Sequence, residues 1–88
     1  MRSETGTADF QSTISRMTAF VLTTSADVGE VVLREGGAAG TIKVRLKCGV
    51  VQDSRTFTFG DRGVLSQSGN WYVDLIGGTT PQMTIIGD

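Results

Sequence analysis

The 88 residues suffice for one domain with one modest core, and a chain this short gains by burying further surface in an oligomer. Eight Lys and Arg against nine Asp and Glu give a net charge of −1, a balance that argues against a general polyanion-binding surface. Histidine is absent and cysteine occurs once, which removes an intramolecular disulfide, the usual nitrogen and sulfur sites for zinc or copper, and the most versatile general base near neutral pH.

Residues 1–13 are polar and without a period, and Phe10 is nearly their only large apolar group. Fixing each residue costs roughly 1–2 kcal/mol, so an extended arm is expected here, ordered only if something outside the domain holds it. MRSETGTADF lacks the apolar stretch of a secretory signal, and no later aliphatic run approaches a membrane span. A single domain is expected over 14–88. Ile14 to Met17 leads into a first strand, TAFVLTT, and SADVG then has turn composition. Glu30 to Arg34 alternates, with Val31 and Leu33 on one side. After EGGAAG comes the cleanest strand, Thr41 to Cys48. Ile42, Val44, Leu46 and Cys48 share one of its faces, and Lys43, Arg45 and Lys47 share the other. Pairing Leu33 with Ile42 is the preferred hairpin register, because a shift by two residues sets Arg34 against Lys43.

GVVQDS is a bend, and RTFTF points Phe57 and Phe59 inward and Thr56 and Thr58 outward. GDRG, VLS and QSGN give a turn, a short strand and a turn. WYVDLI divides into Trp71, Val73 and Leu75 inside and Tyr72, Asp74 and Ile76 outside. GGTTP is the last turn and QMTII the last strand. About seven short strands at roughly ten-residue spacing predict an all-β fold, a small antiparallel β-sandwich or flattened barrel.

A hydrolase triad needs a base to activate its nucleophile, usually histidine, and there is none. Asp53, Asp61 and Asp74 are the acids best placed for a carboxylate pair, yet the first two read as turn formers and the third as an outward strand residue. GGAAG and GDRG lack the Lys-Ser/Thr and helix of a phosphate loop and read as hairpin connections. Calcium binding around Asp53 or Asp61 wants clustered acids that neither loop has. No catalytic, cofactor-binding or metal-binding residue is assigned, and the chain is read as non-enzymatic.

The comb of Lys43, Arg45 and Lys47 has the charge to follow a phosphate backbone or an acidic protein surface. No aromatic is interleaved with it for base stacking, and Glu30 and Asp74 are available to neutralise part of it. It is read as a solvated or protein-facing surface, with no nucleic acid and no membrane as partner. Val32, Tyr72, Ile76 and Ile86 stand outside a core already supplied by Trp71, Phe57 and Phe59. Several apolar residues on one sheet face suggest a subunit contact. Phe10 on the arm and the three bases complete this set of expected protein-interface residues. Cys48 reads as a small buried hydrophobe.

Across residues 17–86 the order of parts resembles small structural proteins of tailed bacteriophages. The parts are AFVLTT, a VVLREGG hairpin with a Lys- and Leu-rich partner strand, the Phe-rich TFTFG, the GVLSQSGNWYVDL hairpin, and a closing GGTTPQMTI. Many such chains run on to an aromatic end, whereas this one has Ile86-Gly87-Asp88. The resemblance implies a virion component on the capsid surface, assembled in the host cytoplasm. Its implied role is that of a decoration, or cement, protein that stabilises the head through protein–protein contacts. Its implied partners are its own copies, as a homotrimer, and the major capsid protein. A tail, adaptor or fibre-base component of the same virion is the alternative. A receptor- or carbohydrate-binding β module is a third reading, and it needs exposed aromatics in a cleft, for which Tyr72 is the one candidate.

Overall fold

Short runs of branched and aromatic residues alternate with polar ones along the chain, each ended by glycine or by a Ser, Thr or Asp turn. In the computed structural model, which describes residues 1–88, every such run is a strand. In order they are β1 (Arg2–Gly6), β2 (Phe10–Gln11), β3 (Arg16–Thr23), β4 (Gly29–Glu35), β5 (Ile42–Cys48), β6 (Ser54–Thr58), β7 (Val64–Leu65), β8 (Trp71–Gly77) and β9 (Gln82–Gly87). They form two antiparallel sheets, one ordered β1-β9-β3-β6 with β7 also on β3, the other ordered β2-β8-β4-β5. The all-β, two-sheet architecture expected from the sequence is present.

The inward rows meet in one core. Phe20 and Leu22 from β3, Val31 and Leu33 from β4, and Trp71 and Val73 from β8 are fully buried in it. Fully burying such a side chain is worth roughly 1.5–3 kcal/mol. Phe57 and Phe59 are only partly buried against this core, at the side where β5 and β6 form the outer edges of their sheets.

The expected arm is instead part of both sheets. β1 pairs with β9 along its whole length, from Arg2 opposite Gly87 to Gly6 opposite Met83. The chain then crosses to the other sheet, where Phe10 and Gln11 pair with Val73 and Tyr72 of β8. Composition misleads here because it weighs only apolar burial. Ordering is met by ladder hydrogen bonds and by Glu4, whose carboxylate accepts from Ser12 Oγ (2.7 Å), Thr13 N (2.9 Å) and Thr13 Oγ1 (2.6 Å).

The β4–β5 hairpin also departs from the expected register. Leu33 pairs with Val44, Val31 with Leu46 and Gly29 with Cys48, the arrangement disfavoured on charge grounds. A register shift between Leu33 and Arg34 removes the objection, because Arg34 then faces Ile42 and the extra residue, Lys43, is bulged out of the pairing. Ile42 leaves the inward row as a result and is 39% exposed.

Candidate functional site

The outer face of the β2-β8-β4-β5 sheet carries most of the residues expected at an interface. Its central row runs from Asp74 through Val32 to Arg45, set by the strand registers. Arg34 Nε donates to Asp74 Oδ2 at 2.8 Å, Arg45 lies 3.2 Å from the Glu30 carboxylate, and Lys43 lies 3.8 Å from Glu35. Two of the three bases of the comb thus have an anion partner in the chain, and Lys47 has none. Val32, expected to be an exposed apolar residue, is fully buried beside these ion pairs. Tyr72 on central β8 is half-buried between Gln11 and Arg34, while Ile76 near the end of β8 is exposed.

Two further members of the expected strip lie elsewhere. Ile86 belongs to β9 in the opposite sheet and is half-buried between Ser3 and Ala19. Phe10 packs against the core edge, and a Cβ added at Gly6 would come within 2.8 Å of its ring. The four outward apolar residues therefore make no continuous strip, because they are split between two sheets that face apart. Asp53, Asp61 and Asp74 are similarly dispersed, over the β5–β6 loop, the β6–β7 loop and the outer face of β8.

A different surface gathers three of the exposed apolar side chains, while Met1, Ile42 and Leu65 are exposed elsewhere on the molecule. The β3–β4, β5–β6 and β8–β9 connections meet at one end of the sandwich, where Val50 is 57% exposed, Val51 48% and Val28 36%. The loops brace one another. Gln52 N donates to Ser25 O (2.9 Å), Thr24 N donates to Asp53 O (2.8 Å), and Ser25 Oγ donates to Thr79 O (3.3 Å). The buried Thr24 hydroxyl donates to Val50 O (2.6 Å) and accepts from Asp53 N (3.1 Å). Gly78 adopts φ +105°, and a side chain there would run into the Val28 carbonyl, so this close approach of two loops requires glycine.

Strain is concentrated at the same end. The two non-glycine residues with positive φ are Gln52 (52°) and Thr80 (46°), both in these loops, while Gly36, Gly60, Gly63 and Gly69 serve the turns of the opposite end. A β-branched residue in this region is an outlier costing about 1–3 kcal/mol, and such conformations cluster where a surface is held in a working shape. Asp27 and Asp53 are the charged residues of the three connections. The sequence carried one signal of this end: adjacent Val50 and Val51 between Gly49 and Gln52-Asp53 cannot both point inward from a strand.

Comparison of the chain with protein-family models, with curated proteins and with solved structures finds no match.

Proposed function

We propose that the protein is a non-enzymatic structural subunit of a bacteriophage virion, a decoration protein that attaches to the capsid surface through its three-loop end. The observation that carries the reading is the exposed Val28, Val50 and Val51 on loops tied together by backbone and Thr24 hydrogen bonds. A preorganised apolar tip loses little freedom on docking, so its contact area converts to affinity more fully than a loose loop would. With Asp27 and Asp53 at its rim, the tip suits an apolar recess bordered by basic residues on the major capsid protein. The resemblance to phage structural proteins supplies the virion setting.

The glycan-binding reading draws no support from Tyr72, which is half-buried between Gln11 and Arg34 on the outer sheet face. The one surface depression is lined by Met1, Thr18, Thr58, Gly60 and Asp61 and contains no aromatic ring for a sugar to stack on. Electron cryomicroscopy of particles assembled with and without the protein tests the proposal. Density on the head lattice that disappears with the protein is expected. Density confined to the tail would transfer the role to a tail or adaptor component, and unchanged particles would overturn it.

A further inference from the structure

We propose that two copies of the chain pair β6 to β6 about a two-fold axis, joining their five-stranded sheets edge to edge. The inference rests on the assembly reading for its purpose, names the surface through which the protein meets itself, and replaces the homotrimer that the resemblance implies with a two-fold pair.

The outer edges of the two sheets are β1, β2, β5 and β6, with the two-residue β7 continuing the β6 edge along β3. Native edges are guarded against pairing by charge, bulges or shortness. β2 spans only two residues. β5 carries Lys43, Arg45 and Lys47 and is bulged at Lys43, so pairing it with its own copy sets base against base. In β1, Arg2 donates to Thr13 O and Glu4 is occupied by Ser12 and Thr13, which commits its charged groups within the chain. β6 is neither bulged nor two residues short, and its one charge is Arg55. Its sequence is Ser-Arg-Thr-Phe-Thr, without lysine, proline, glycine or a register shift against β3.

The strand is also complementary to itself. An antiparallel pair centred on Thr56 places Thr56 opposite Thr56 of the second copy, Arg55 opposite Phe57, and Ser54 opposite Thr58. Arg55 and Phe57 occupy the inward-facing row, opposite Leu22 and Phe20 of β3. Phe57 is only partly buried and Arg55 is exposed at this open side of the sandwich. The guanidinium and its alkyl stem would therefore cover the exposed part of the other copy's Phe57 ring, twice by symmetry. No like charges meet.

Sedimentation of the full chain at micromolar concentration should give twice the monomer mass. Thr56→Lys, an exposed substitution that sets two ammonium groups against each other at the axis, should return a monomer that still unfolds cooperatively, with a melting temperature independent of protein concentration. Thr56→Cys should cross-link to a dimer on mild oxidation. Ser54→Cys should not, because its opposite number is Thr58, and the native Cys48 is buried. A wild-type monomer, a three-fold species, or a dimer indifferent to Thr56→Lys would overturn the pairing. Attachment of the wild type to heads is measured separately. A monomer that still decorates heads removes the β6 contact alone, whereas a β6 dimer that never binds heads removes the decoration role alone.

Discussion

At Glu4 a single carboxylate joins β1 to the turn after β2. Burial by itself would raise its pKa, but hydrogen bonds from the Ser12 and Thr13 side chains and the Thr13 N–H, with the nearby Arg2 charge, outweigh it and hold the group below the ordinary 4.5. A depressed carboxylate stabilises the fold above its unfolded pKa, and that contribution is lost as pH falls through the folded value. Glu4→Gln should therefore lower the melting temperature near neutral pH by about 4–8 °C, taking a discounted contribution of about 1 kcal/mol for a group that water reaches. The deficit should shrink below pH 4.5 and vanish once the wild-type carboxylate is protonated, as thermal melts across the acid range would show. Thr24 is the corresponding residue of the loop end. Thr24→Val keeps the shape but orphans the Asp53 N–H and a Val50 carbonyl bond, so a loss of about 1–3 kcal/mol is expected in denaturant unfolding.

At the scale of elements, the N-terminal strands make the clearest prediction. Removing residues 2–13 strips β1 from β9 and β2 from β8, and takes Phe10 from the core edge. The truncated chain should unfold at markedly lower denaturant or fail to fold; truncation with an unchanged midpoint would mean that these strands are only loosely attached. The sequence showed seven strands and their turns well, because each has a period of two and its own glycine or Asx punctuation. It hid β1 and β2 because polar edge strands bury little and are recognised only by the strand they lie against. It hid the β4–β5 register because a pairwise charge argument assumes regular pairing, and one bulged residue removed the Arg34–Lys43 conflict. Val32 was misplaced for a related reason: an outward position can still be covered when long ion-paired side chains flank it. Neutralising the comb with Gln at Lys43, Arg45 and Lys47 should cost under about 1 kcal/mol per exposed ion pair and leave DNA retention in a gel shift unchanged. A wild-type shift at about 150 mM salt that is lost in this variant would reassign the face to nucleic acid.

For the whole molecule, the surfaces divide the work. One sheet exposes a face of paired charges, β6 offers a free edge, and the three-loop end presents apolar side chains that the core does not use. Valine at the tip and threonine on the edge suit the proposed role of a subunit that holds neighbours. The most direct test of the decoration role is co-sedimentation of the purified protein with virus heads that lack it, comparing wild type with Val50→Asp/Val51→Asp. Both valines are about half exposed, so the double variant should keep the wild-type melting temperature. Wild-type protein is expected to pellet with the heads to saturation while the folded variant stays in the supernatant. Equal binding of the two proteins, or no binding by either, would contradict the decoration role.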